Sequence, residues 1–181
     1  LQMAIKVLSV NTAAAEIRSI QGRKVATAIG KRPVPGRTPV MAMGLSGDEQ
    51  ADLSVHGGLR KAVYAYPAQH YAFWQTVRAQ ARVSLWEETL PWGSMGENLT
   101  IEGLDETRLW IGDVLHLPGC RLAVTEPRQP CFKFNAAMGF DQAAKLMQQS
   151  GFCGAYLVVL QAGDVAAGDE VRLVPGPREL S

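Results

Sequence analysis

Cys131 stands in the stretch TEPRQPCFKFN, residues 125–135, with Arg128 on one side and Lys133 on the other. Nearby cations favour thiolate over thiol, and the thiolate is both the nucleophile and the metal ligand. Read as an extended segment, Cys131, Lys133 and Asn135 point one way and Phe132 and Phe134 the other, which would anchor a reactive face on a hydrophobic core. Cys120, after Gly119, and Cys153, after Phe152, read instead as buried structural cysteines, the usual outcome for a free thiol.

Two further clusters carry polar chemistry. GLSGDEQAD leads into SVHGGLRKAVYAY, where His56 is followed by Gly57 and Gly58, with Arg60 and Lys61 just beyond. Two backbone N–H groups unshielded by side chains can cradle an anion such as phosphate. The plainer reading is a glycine turn before a strand. GSMGENLTIEGLDE sets Glu97 and Asn98 after a glycine, a carboxylate beside an amide that can position a substrate or a proton, or else simply hold its own loop. His70 and His116 read as packing or surface residues.

Several chemistries are excluded. GLSGD lacks the final glycine of a nucleophile elbow, since Asp48 occupies it. No Walker-type phosphate loop or dinucleotide glycine fingerprint occurs, and the three histidines have no zinc-ligand spacing. A net charge near +1 argues against a dedicated nucleic-acid binder. Three cysteines without C-x-x-C spacing argue against a disulfide framework and for a reducing compartment. The N-terminal residues lack a charged head followed by an apolar core, and no apolar run approaches the roughly 18 residues of a membrane span. The expected location is the cytoplasm, with neither nucleic acid nor membrane as partner.

The elements that must position these residues are mostly short strands: 4–10, 23–29, 38–43, 61–66, 113–117, 121–126, 155–161 and 170–174, each fenced by glycine, proline or aspartate. One helix is expected to open at Pro67 and run to Gln80, with His70, Trp74 and Val77 on one face. A second covers 141–151, capped by Asp141 and ended by Gly151. Many strands and few helices predict a mainly β (α+β) domain, a closed or partly open barrel with a few short helices. One domain is expected over 1–181, with 175–181 as a surface tail.

Taken together, GLSGDEQAD…VHGG…KAVYAY (44–66), GENLTIEGL (96–104), IGDVL (111–115) and PRQPCFKFN (127–135) resemble the MOSC domain, named for the C-terminal part of molybdenum cofactor sulfurases. The likeness spans roughly 40–160 and is most similar to the branch conferring resistance to 6-N-hydroxylaminopurine. It implies a β-barrel fold and a pocket for the molybdenum cofactor, Mo-molybdopterin. Cys131 is implied to bind its molybdenum or to carry sulfur. His56, Gly57, Gly58 and Lys61 are implied to share that pocket with Asn98, Arg128, Lys133 and Asn135. Where the family often has Pro-Asp after the second glycine, this chain has Leu59-Arg60. The helical extension that ends the hydroxylaminopurine branch has no match after the last expected strand.

The activity so implied is reduction of N-hydroxylated compounds, N–OH to N–H, with two electrons from a redox partner protein. Cys131 and Lys133 would sit at the reacting centre, and Asp48, Glu97 and His56 are the candidates for delivering protons. Alternatives on the same residues are a sulfur carrier with a persulfide on Cys131, a cofactor carrier without turnover, and an interaction domain with a structural cysteine. A two-fold homodimer is the commonest assembly for such a chain.

Overall fold

The structure, a computed structural model, describes residues 4–51 and 57–177. In chain order the first strands are β1 (Ile5–Thr12), β2 (Glu16–Ile20), β3 (Arg23–Thr27), β4 (Arg32–Pro33), β5 (Thr38–Met41) and β6 (Gly44–Leu45). Then come β7 (Val63–Pro67), helix α1 (Tyr71–Gln80), β8 (Leu99–Glu102), β9 (Val114–His116) and β10 (Arg121–Pro127). Helices α2 (Phe132–Met138) and α3 (Ala143–Ser150) precede β11 (Ala155–Gln161), β12 (Gly163–Val165) and β13 (Glu170–Val174).

Seven strands close into a barrel in the order β13-β9-β10-β11-β7-β8-β1, and the pair Ile5↔Val171 joins its ends. Closure leaves those strands no free edge. Every pairing around it is antiparallel except β7 with β8, whose connection crosses over through α1. Register shifts in β1 and β10 bend those strands around the barrel. Alternate residues turn inward, so Val7, Leu99, Ile101, Leu115, Leu122 and Leu157 fill the interior. A second, aromatic cluster packs the helices on the outer wall: Tyr66, Tyr71, Trp74, Phe134, Met138 and Met147. The expected mainly β barrel with a few short helices is the observed architecture.

Local expectations fared unevenly. All eight expected strands form with modest changes of boundary, whereas β2, β8, β12 and the two-residue β4 and β6 were not foreseen. Pro67 is the last residue of β7, and a 3-10 turn over Ala68–His70 precedes α1. Gly151 ends α3 at φ 73° as expected, but Asp141 is not its cap. The cap arrives from α2, where Asn135 Oδ1 accepts from the Ala144 N–H at 2.7 Å.

The largest correction falls on residues 131–135. Cys131 is extended (φ −127°), but the chain turns helical at Phe132. With 3.6 residues per turn, Phe134 and Met138 share the buried face and Phe132 is 45% exposed. Two phenylalanines two residues apart fit a strand period, and only the continuation to Met138 shows the helix.

Among the described residues, no helix is long and apolar enough to cross a membrane.

Candidate functional site

Cys131, Lys133, Arg128, Lys61, Asp48 and Asn98 line one cleft of about 100 Å³ on the side of the barrel. They come from four separate parts of the chain, which local geometry brings together. Gly96 has φ +83°, and a Cβ there would meet the Ile29 side chain at 2.9 Å, so the loop before β8 closes against the β3–β4 connection only as glycine. That approach brings Asn98 to the cleft. Its backbone exchanges hydrogen bonds with Tyr64 and Asn11, while its side-chain Oδ1 accepts from the Tyr64 N–H at 2.9 Å.

Asp48 is held by three donors. Oδ1 accepts from the Ala13 N–H at 2.9 Å and from Lys31 Nζ at 2.7 Å, and Oδ2 accepts from Asn98 Nδ2 at 2.8 Å. The Lys31 and Asp48 side chains are 9% and 8% exposed, a buried ion pair in the cleft wall. Lys31 belongs to no motif and was not singled out in the sequence.

Arg128 is 8% exposed. Its Nη1 donates to the Met95 carbonyl and, at 3.3 Å, to Tyr64 Oη, and the guanidinium lies over the rings of Tyr64 and Phe134. Burial opposes its charge, but Tyr64, Tyr156 and Cys131 outweigh that and hold its pKa above the ordinary value. The guanidinium and the Cys131 sulfur are thus electrostatic neighbours. Lys61 ion-pairs with Glu126 at 3.3 Å and lies 5.3 Å from the Tyr156 ring centroid. Lys133 Nζ donates to the Ala26 carbonyl at 2.8 Å.

Other residues singled out in the sequence lie elsewhere. Glu97 is fully buried on the far side of the loop, where it accepts from Tyr71 Oη at 2.6 Å, Thr100 Oγ1 at 3.1 Å and the Met95 N–H at 3.1 Å. Burial pushes its carboxyl up to about 7, against the pull of those hydrogen bonds. Asn135 caps α3 and does not line the cleft. The Gly58 N–H donates to Gln50 Oε1 at 2.8 Å, and neither Gly57 nor Gly58 lines the cleft. His56 falls outside the described residues. Besides Lys31, the sequence reading missed Tyr64, Tyr156 and Gln50, cleft residues whose only local signal was membership of a strand or turn.

Cys120 and Cys153 do not line this cleft. Cys120 is 2% exposed in the barrel core, and burial pushes its thiol up to about 11. Burial also raises Cys153, whose carbonyl accepts from Tyr64 Oη at 2.6 Å. His70 is stacked on Phe152 and paired with Glu106, a packing role.

The MOSC domain model matches residues 52–172 of this chain. The chain belongs to the MOSC domain family. It is 37% identical over 173 residues to the uncharacterized protein YflK of Bacillus subtilis, covering 96% of this chain and 75% of YflK. To the protein YiiM of Escherichia coli it is 34% identical, over 82% of this chain and 64% of YiiM. A protein of Gibberella moniliformis named as a reductase is 32% identical over 86% of this chain. This chain spans 27% of that reductase and less than two thirds of the E. coli YiiM. Among solved structures, YiiM from Geobacillus stearothermophilus superposes with a TM-score of 0.72 at 28% identity, over 94% of this chain and 75% of that one. In this MOSC domain three of the four motifs read from the sequence contribute to the cleft. The fourth, IGDVL, builds the start of β9, where Asp113 accepts from the Trp110 and Gly176 N–H groups.

The donor set fits an anionic cofactor that carries a soft metal. It holds one thiol, the cations Lys31, Lys61, Arg128 and Lys133, and the side-chain amide of Asn98. Asp48 offsets one of those cations and Glu126 another.

Proposed function

We propose that this MOSC domain binds the molybdenum cofactor in the Cys131 cleft and reduces N-hydroxylated compounds to the corresponding amines. The observation that carries this reading is the placement of the Cys131 sulfur in one cleft with Arg128, Lys61 and Lys133. The family membership, the reductase among the relatives and the motif likeness to the hydroxylaminopurine branch support it.

Cys131 would ligate molybdenum, and Lys61, Lys133 and Arg128 would compensate the phosphate and dithiolene charge. The group supplies two-electron transfer at a centre able to take up oxygen; the protein binds and orients it. The net change is R–NH–OH plus two electrons and two protons to R–NH₂ and water. The electrons come from a partner protein. Asp48, held by Lys31 and Asn98 in the cleft wall, would pass protons to the leaving oxygen. Glu97 is too deeply enclosed for that role and instead shapes the loop that presents Asn98. Three free thiols support a reducing, cytoplasmic setting.

The test is molybdenum per chain after expression in cells that make the cofactor, with Cys131→Ser purified in parallel and checked for folding. Near-stoichiometric metal in the parent and little in the folded variant supports the reading. A folded parent without molybdenum or pterin overturns it, and a persulfide on Cys131 would then mark sulfur transfer as the function.

A further inference from the structure

A second polar site lies on the outer wall of the barrel, where β9, β10 and β13 run side by side. Arg121 of β10 and Arg172 of β13 are both directly opposite His116 of β9. Opposed residues project from the same face of a sheet, so the three side chains form one row. Leu115 and Leu122, one residue along, are buried inside, which puts the row outside. Gln161 of β11 continues it beyond Arg121.

We propose that this row is a binding site for a phosphate group, free or carried by a small phosphorylated molecule, held between Arg121 and Arg172 with His116 at the centre. Arg121 and Arg172 flank β9 from either side, each directly opposite His116, so two cations share one face with a single imidazole between them. Among the described residues no carboxylate lies within ion-pair distance of Arg121 or Arg172, whereas Arg37 sits between Asp164 and Asp169. The row lines a pocket of about 450 Å³ whose floor includes Leu117 and Val171, room for a phosphate and a small organic group. Two guanidinium forks facing one space match the oxygens of a phosphate.

His116 carries a second mark of that field. Arg172 Nη2 approaches His116 Nδ1 at 3.4 Å, an acceptor's position for that nitrogen, which leaves Nε2 to donate. Partial burial, and then Arg121 and Arg172, hold the imidazole pKa below its ordinary value. A bound anion offsets the two guanidinium contributions and so favours the protonated imidazole. Other charged groups on this face are Glu170 of β13, Lys6 of β1 directly opposite it, and Glu102 of β8 opposite Lys6 in turn. Glu170, also in the pocket wall, disfavours an anion at its own end and favours a ligand that brings a hydroxyl or amine there.

The deciding experiment is a ¹H–¹⁵N NMR titration of the full chain with inorganic phosphate and, separately, with adenosine monophosphate. The expected result is saturable shifts at the amides of His116, Arg121 and Arg172, separate from any at Lys61 or Lys133. In Arg121→Gln/Arg172→Gln these shifts should weaken by about tenfold or more while cleft shifts persist. Tighter binding of the nucleotide identifies a phosphorylated ligand, and equal binding identifies free phosphate. The double variant should melt as the parent does, since neither arginine is ion-paired among the described residues, whereas a structural role for the pair would lower its melting temperature. No shifts at the three amides, or shifts that survive in the double variant, overturn the proposal; His116→Gln, tested alongside, guards against a folding artefact.

Discussion

Asn98 Nδ2 donates to Asp48 Oδ2 at 2.8 Å, joining two motifs 50 residues apart in the wall of the Cys131 cleft. The same carboxylate accepts from Lys31 through its other oxygen. Asn98 therefore leaves Asp48 one fixed orientation, with Lys31 as the charge that stabilises it.

That arrangement predicts strong coupling between Lys31 and Asp48. Asp48→Asn strands a lysine that is 9% exposed, and Lys31→Met strands the carboxylate, so each change alone should cost about 3 kcal/mol. Together they should cost clearly less than the sum, because no unpaired charge remains. Urea unfolding of the four proteins measures this; additive losses would show that the pair is not coupled.

Glu97 predicts a pH dependence of stability. Its folded pKa of about 7 lies above the ordinary 4.5, so the folded protein binds the proton more tightly. The resulting stabilisation is full below pH 4.5 and is lost as the pH rises through about 7, up to about 3 kcal/mol. Glu97→Gln should flatten the profile over that window. Chemical-denaturation midpoints from pH 4.5 to 8 give the comparison, and an unchanged slope in the variant would count against this assignment.

The three thiols should react in a definite order. Cys131 lines the open cleft, Cys153 is half-buried with a raised pKa, and Cys120 is 2% exposed. Iodoacetamide labelling of the native protein, followed by mass spectrometry, should modify Cys131 first and leave Cys120 unmodified until unfolding, a difference of at least about tenfold. Early labelling of Cys120 would contradict the burial described above.

Gly154 is the glycine on which the β11 entry depends. It has φ +67°, and a Cβ there would stand 2.4 Å from the Ala65 carbonyl and 3.0 Å from the rings of Tyr64 and Tyr66. Its N–H also donates to Glu106 at 2.6 Å. Gly154→Ala should lose roughly 2 kcal/mol or more and lower the melting temperature by several degrees. A wild-type melting curve would show that the strand can shift without cost.

The amino-acid sequence by itself determined the fold class and the residues with distinctive chemistry. Short apolar runs between glycines and aspartates set β11 and β13 almost to the residue, because strand period and turn chemistry are local. Cys131 and its flanking cations were legible for the same reason. The tertiary structure alone decided that FKFNAAM is helix, since a three-residue alternation cannot separate periods of 2 and 3.6 until Phe134 and Met138 both find the aromatic core. It also decided which polar residues face the cleft. Glu97 and Asn98 are neighbours in sequence, yet the loop entering β8 turns Asn98 to the cleft while Glu97 is sealed beneath Tyr71. Lys31 enters the site because β4 pairs with the end of β1, beside which Ala13 also holds Asp48, and the row of Arg121, His116 and Arg172 exists only through strand register. Such contacts depend on which distant strands pair, and no window of adjacent residues contains that information.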